Sequence, residues 1–231
     1  MENPFVNPHC PRCDGAGFLH PVNEFTQKVL YNQLVPCDYP GCYKENLAKG
    51  MPLYNRTTGV ARDQTFDNFK LRMGAEESFK AAKSLADGSA EFIFLVMYGG
   101  VGCGKTHLCN AIVMELLQRG LSAKLIMVSE LLDYLRKGIE DHTLDDRLKR
   151  YKNIHALALD DFKTEYIKTQ GWALDKIEEI IDSRYREMKL TILTTNDEFQ
   201  NLPDRIVSRF SDRSRALRVL NSAGDYRPLG N

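Results

Sequence analysis

Residues 92–107, FIFLVMYGGVGCGKTH, constrain this chain more than any other stretch. An apolar, β-rich run from Phe92 to Tyr98 ends at glycine. Gly99 to Thr106 then follow the pattern G-x-x-x-x-G-K-[ST], and a helical pattern, HLCNAIVMELLQRG, starts at once. A strand that feeds a glycine loop opening a helix is the setting of a phosphate-binding loop. Gly99, Gly100, Gly102 and Gly104 let the backbone curl so that successive N–H groups face phosphate oxygens. The helix N-terminus adds partial positive charge. Lys105 is placed to reach the β- and γ-phosphates, and the Thr106 hydroxyl to ligate Mg²⁺. Val101 and Cys103 complete the loop and His107 follows it, so residues 99–107 are the expected nucleoside triphosphate site.

Composition bounds what surrounds this loop. The chain has 231 residues, 43% hydrophobic and 27% charged, an ordinary globular mix sufficient for one full core and a small appendage. Lys+Arg equals Asp+Glu, so any nucleic-acid binding has to be local. No apolar run approaches the roughly 20 residues that cross a bilayer. The start, MENPFVNPHCPRC, lacks the basic and apolar segments of a signal peptide. A cytoplasmic protein is expected, with cysteines as thiols or metal ligands rather than disulfides.

The leader has a different character. It holds most of the nine prolines and four of the six cysteines. Cys10 and Cys13 form C-x₂-C; Cys37 and Cys42 form C-x₄-C, with GFLHPV and FTQKVLYNQLVP between them as a candidate β-hairpin. Two such knuckles closing on one tetrahedral Zn²⁺ is the natural reading, a structural site because four thiolates leave no open position. The alternatives are free structural cysteines, a redox C-x-x-C without its βαβ context, and replacement of one ligand by His9 or His20. Residues 1–49 are thus expected to be a zinc-binding module, 50–64 a linker, and 65–231 the nucleotide-binding domain.

Beyond the linker, Phe66 and Phe69 are spaced to pack together, and AEESFKAAKSLAD (75–87) reads as a helix ending at Gly88. After the loop helix comes a buried strand, AKLIMV (123–128). Ser129 is then expected to cap a helix with Glu130 in its first turn and Gly138 past its end. Residues 139–153 are charged and helical in pattern; Arg147, Lys149, Arg150 and Lys152 read as a solvated face or a basic patch. IHALALDD (154–161) is an apolar strand ending in two acids, roughly 50 residues after the loop. Asp160 is placed to hold Mg²⁺ through its water shell and Asp161 to orient and polarise an attacking water. QGWALDKIEEIIDSRYREM (170–188) is an amphipathic helix. LTILTTN (190–196) is a strand that brings Asn196 to the same sheet edge as Asp160, where an amide can bond both the γ-phosphate and the lytic water, or merely start a turn. LPDRIVSRF puts Arg205 and Arg209 on one face of a short helix, and ALRVL is a last strand. Alternating strands and helices predict an α/β fold, a parallel sheet covered on both faces.

The ordered set GGVGCGKTH, LALDDF, TILTTN, DRIVSRF and GDYR resembles the AAA+ ATPases, and more narrowly the DnaC/DnaI/IstB group of helicase loaders and transposition helpers. The resemblance covers about residues 62–229; the phrases ELLDYLR, IIDSRYRE and SRF make it narrower than a loop match, and the cysteine-rich leader is similar to that of some loader-like proteins. It implies that the LTILTTN strand lies between the loop strand and the IHALALDD strand. It implies a sensor at Asn196, an arginine finger at Arg209 acting on a neighbour's ATP, and a second sensor at Arg227. An arginine fork suits both tasks, being permanently charged and bidentate towards phosphate. Asp161 departs from the glutamate usual in AAA+ proteins and is one methylene shorter. Only 22 residues follow Arg209, which implies no C-terminal lid domain and points away from a DnaA-type initiator.

The resemblance implies an ATP-dependent loader of a replicative DNA helicase onto single-stranded DNA, assembled as a homo-oligomer through the ATP interface, with slow hydrolysis. An IstB-like transposition helper and an ATP-binding adaptor with little hydrolysis are the alternatives. Tyr134, Arg136 and Lys137, after AKLIMV, offer a stacking ring with phosphate-binding cations for single-stranded DNA, or simply an exposed amphipathic surface.

Overall fold

The computed structural model describes residues 18–19, 35–36, 61, 63–165 and 171–227. Cys10, Cys13, Cys37 and Cys42, the expected zinc ligands, lie outside them, as do His9, His20 and most of the expected linker. In the leader, β1 (Phe18–Leu19) pairs antiparallel with β2 (Val35–Pro36), Phe18 opposite Pro36 and Leu19 opposite Val35. This is the pairing that a hairpin between the two cysteine pairs requires.

The remaining strands form one parallel five-stranded sheet. In chain order the elements are α1 (Glu76–Asp87), β3 (Phe94–Gly99), α2 (Lys105–Gln118), β4 (Ala123–Met127), α3 (Val128–Glu140), α4 (Leu144–Asn153), β5 (Ala156–Phe162), α5 (Gly171–Arg186), β6 (Leu190–Thr195), α6 (Asp204–Phe210) and β7 (Ala216–Asn221). The sheet order is β4-β5-β6-β3-β7. β6 therefore sits between β3 and β5, as the resemblance implies, and β7 adds an edge beside β3. A parallel strand is covered on both faces and reads as a continuous apolar run. Phe94, Leu95, Val96 and Met97 are all fully buried, and so are Ala156, Leu157, Ala158 and Leu159.

β6 is buried along its whole length although half of it is threonine. Its hydroxyls are partnered, as burial demands. Thr191 Oγ1 accepts from Arg184 Nε at 2.9 Å and donates to the Lys189 carbonyl at 3.0 Å. Thr194 is bonded to the paired acids of β5, described below.

Arg184 is the most unexpected core residue: its side chain is fully buried. Its two terminal nitrogens donate to the carbonyls of Tyr151 (2.8 Å), Ile154 (2.7 Å), His155 (3.1 Å) and Leu190 (2.5 Å). One guanidinium thus ties the end of α4 to the starts of β5 and β6. Burial pushes its pKa down to about 9, while every carbonyl that accepts one of its N–H groups favours the charged form.

Two expectations are corrected. The helix after β4 starts at Val128, with Met127 rather than Ser129 before it and no side-chain cap. It also runs through Gly138 instead of ending there. A Cβ at Gly138 would stand 2.9 Å from Arg147 Cδ and 3.0 Å from Leu144 Cα, so this glycine serves the close approach of α3 to α4. The turn between them is made at Asp141–Thr143, with His142 at φ 58°. The helix of 75–87 is as expected, stopping at a left-handed Gly88. Phe66 and Phe69 meet through Phe79, with ring centroids 5.7 and 5.5 Å from it. Among the described residues no helix is long and apolar enough to cross a membrane.

Candidate active site

The carboxyl ends of β3, β5 and β6 meet in a cleft, the place where ligands bind in open α/β sheets. Lining it are the loop residues Val101 to His107, then Asp160 and Asp161 from β5, and Thr194 to Asn196 from β6. Gln64, Met127, Lys163 and Arg227 complete the wall. The sequence motifs quoted for nucleotide binding are therefore brought together by the strand order.

The loop is built for close packing. Gly102 has φ 75°, and a Cβ there would fall 1.9 Å from Asp225 Oδ1. The chain after β7 holds the loop from behind: Tyr226 N donates to the Gly102 carbonyl at 3.1 Å, and buried Asn221 donates its Nδ2 to the Cys103 carbonyl at 2.9 Å. Lys105 Nζ donates to the carbonyls of Gly99 (2.8 Å) and Gly100 (2.7 Å), stands 3.3 Å from Cys103 Sγ, and donates to Asn196 Oδ1 at 3.0 Å. His107 braces α2 from the side, with Nε2 2.8 Å from the Thr65 carbonyl and its ring edge-on to Phe69 at 5.1 Å. Val101 is half exposed at the loop tip.

Asp160 is buried, with 3% of its surface exposed. Two hydroxyls converge on it: Thr106 Oγ1 at 2.9 Å and Thr194 Oγ1 at 2.5 Å. The Thr106 hydroxyl and Asp160 carboxylate are a pair of hard oxygen donors, the set that suits Mg²⁺ held by few protein ligands and by phosphate. They would hold that ion. Among the described residues no cluster of three or more His, Cys, Asp or Glu offers another metal site.

Asp161 owes its place to a bulge. In the β5–β6 register Leu159 faces Leu193 and the next pair is Phe162 with Thr195, so β5 carries one extra residue. Asp161 takes φ 54° at that point and its N–H donates to Thr194 Oγ1 at 3.0 Å. In an unbroken strand, adjacent residues point to opposite faces; the bulge instead puts Asp160 and Asp161 in the same cleft. The Asp161 carboxylate accepts from Asn196 Nδ2 at 3.2 Å and pairs with Lys163 Nζ at 2.9 Å. Asn196 thereby links Lys105 of the loop to the second acid of β5.

The expected arginines differ in position. Arg227 lines the cleft, its N–H held by Asp225 Oδ1 at 2.9 Å. Arg209 does not line it. It lies on α6, where its Nε donates to Asp182 at 2.7 Å and its guanidinium covers the Tyr185 ring at 4.8 Å; the bond to Asp182 raises its pKa further. Arg205 pairs in the same way with Glu178, one turn before Asp182, at 3.3 Å. Burial raises the Glu178 carboxyl and Arg205 opposes that.

Tyr134, Arg136 and Lys137 lie on α3, outside the cleft. The Tyr134 ring packs edge-on against Tyr151 at 5.9 Å with the Arg147 guanidinium 4.3 Å above it. Arg136 pairs with Asp133 at 2.9 Å, and Lys137 is exposed. Thr194 and Lys163 were not among the residues expected to form the site. The TTN run at the end of β6 was the only signal for Thr194, and it pointed to Asn196 alone; Lys163, just past β5, carried no motif.

A family model of the bacterial DnaA ATPase domain matches residues 60–214. The chain belongs to the bacterial DnaA ATPase-domain family. The replication initiator DnaA of Enterococcus faecalis is 31% identical over 153 residues, 64% of this chain and 34% of that protein; the chain spans about a third of the length of such relatives. Among solved structures, the replication initiator DnaA bound to AMPPCP and single-stranded DNA aligns with a TM-score of 0.65 at 24% identity, over 72% of this chain and 52% of that one. The DnaC helicase loader aligns with a TM-score of 0.55 at 20% identity, over 70% of this chain and 98% of that one. At these identities the two likenesses are of fold: the AAA+ sheet and its helices, common to DnaA and DnaC. The family match is thus to the DnaA ATPase domain, which corrects the expectation that the chain stands apart from DnaA-type proteins, and the narrower DnaC/DnaI/IstB resemblance is met at the level of fold.

Proposed function

We propose that this chain is an ATP-dependent assembly factor of DNA replication initiation, which oligomerises through its ATP site and loads a replicative helicase onto single-stranded DNA. The observation that carries this reading is the chain of contacts from Lys105 through Asn196 to Asp161, beside the Thr106–Asp160 pair. The residues proposed to bind phosphate, hold the cation and activate water line one cleft, and Arg209 stands outside it.

Held by Thr106 and Asp160, Mg²⁺ would supply positive charge that offsets the charge of the triphosphate. The residues of the chain do the rest. Gly99 to Thr106 cradle the phosphates and Lys105 exchanges its carbonyl partners for phosphate oxygens. Asp161 takes a proton from water as the water oxygen bonds the γ-phosphorus and the bond to the β,γ-bridging oxygen breaks, giving ADP and phosphate. Asn196 orients that water. Arg227 meets the γ-phosphate from its own chain, and Arg209 from the neighbouring subunit, so that full turnover requires assembly.

The test is turnover of ATP by the full chain with and without single-stranded DNA. Turnover that rises with protein concentration and DNA is expected; none under any condition overturns the enzymatic reading. Arg209→Ala is expected to lose turnover and to recover it when mixed with Lys105→Ala subunits, since each then supplies what the other lacks; failure to recover removes the finger in trans. The family match favours a second reading, a DnaA-like assembly whose own target is the DNA. Capture from the source cells with ATP present decides between them: a replicative helicase retained on the protein supports loading, and its absence supports the second.

A further inference from the structure

Lys163 has no part in the motif assignments, yet it pairs with the acid assigned to water activation. Its Nζ is 2.9 Å from Asp161 Oδ2, with 36% of the lysine side chain and 27% of the aspartate exposed. The other carboxylate oxygen accepts from Asn196. Both oxygens of the proposed base are thus engaged by donors, one of them a full cation. The clamp is built into the turn. Thr164, the next residue, donates both its N–H (2.9 Å) and its hydroxyl (2.8 Å) to Asp197 Oδ2. Asp197 in turn directly follows Asn196. The segment after β5 is therefore fastened to the segment after β6, which fixes where the Lys163 side chain begins. The bulge at Asp161 turns its carboxylate to the same side.

We propose that Lys163 is a positioning residue that restrains Asp161 and holds the basal rate of ATP hydrolysis down. The proposal rests on the reading of Asp161 as the group that activates water. A carboxylate whose lone pairs are committed to an ammonium and an amide is a poor acceptor for a water proton, and Asp161, a methylene shorter than glutamate, has little reach with which to leave the pair. Turnover rises when the ammonium is drawn off, and an anion at the cleft mouth, such as the phosphate backbone of a single strand, is the kind of group that competes for it.

The experiment compares the full wild-type chain with Lys163→Met, Lys163→Gln and Lys163→Arg, measuring kcat, KM for ATP and melting temperature. Loss of the cation in Met and Gln is expected to raise kcat about twofold to fivefold, the size that one half-exposed ion pair can exert, with KM and melting temperature little changed. Lys163→Arg, which keeps the charge, is expected to give a much smaller rise. At about 1 M salt, where the screening length falls to about 3 Å, wild type should approach the Met variant. An equal or lower kcat in both neutral variants, with wild type turning over, overturns the restraint alone. A silent wild type beside a silent Met variant overturns the enzymatic reading with it.

Discussion

The Thr194 hydroxyl stands 2.5 Å from the Asp160 carboxylate and accepts the Asp161 N–H at 3.0 Å, so a single β6 side chain holds both acids of β5. It does so because β6 lies beside β5 and because the bulge leaves the Asp161 N–H without its ladder partner.

Thr194→Val keeps shape and removes that hydroxyl. It strips one donor from a buried carboxylate and one acceptor from a bulged N–H, groups whose bonds are worth about 1–3 kcal/mol each. The melting temperature is expected to fall by several degrees. Steady-state turnover should drop about tenfold or more, in the range of lost outer supports to metal ligands. A thermal melt and an ATPase assay on one preparation check both.

Gly102→Ala would put a methyl 1.9 Å from Asp225 Oδ1 on a backbone at φ 75°. Strain of this kind costs about 1–3 kcal/mol, so affinity for a fluorescent ATP analogue should weaken about tenfold or more. Adding Asp225→Gly is expected to recover part of the loss, because it removes the clash and leaves the backbone strain. Equal affinity of Gly102→Ala and wild type would show that the chain after β7 does not brace the loop.

Arg184→Met removes a buried cation and orphans carbonyls at the end of α4 and the starts of β5 and β6. A loss of about 3 kcal/mol in urea unfolding is expected. Arg184→Lys should fare no better, since a single ammonium cannot serve that spread of carbonyls. The cleft is built at the opposite strand ends, so turnover per folded molecule should be nearly normal at low temperature.

Asp212 supplies a pH signature. Bonds from Ser214 and from the Tyr185 hydroxyl hold its carboxyl at about 2, below the usual 3.8. Its folded pKa is depressed, so its contribution is full above the unfolded value and is lost as pH falls through about 2. The gap in melting temperature between wild type and Asp212→Asn should therefore be constant near neutrality and close between about pH 4 and pH 2. A gap that does not narrow there would show that the α6–β7 corner does not depend on this carboxylate.

The cysteine spacing in the leader carries its own prediction. Metal analysis of the purified chain should find about one zinc per molecule, lost with a chelator or when Cys10 and Cys13 are replaced. Retention of stoichiometric zinc in that double variant would remove the four-cysteine site.

Short-range patterns were readable. The apolar runs of β3, β5 and β6, the glycine spacing of the loop and the DD pair at the end of β5 each depend on neighbours a few residues away, and so does the stop of α1 at Gly88. Helix ends were read less well. Gly138 resembles a terminator, but a neighbouring helix 3.0 Å from its missing Cβ gives it a different use.

The amino-acid sequence by itself determined the succession of strand, glycine loop and helix, and pointed to Lys105, Thr106, Asp160 and Asn196 as residues of one cleft, because glycine freedom and hydrophobic periodicity are local properties of the chain. Tertiary structure alone decided that Arg184 is buried, that Thr194 serves both acids and that Lys163 is clamped to Asp161. The first two depend on strand order, which brings together residues about 30 apart that no local pattern links, and the third on the one-residue register shift that turns Asp161 towards the cleft.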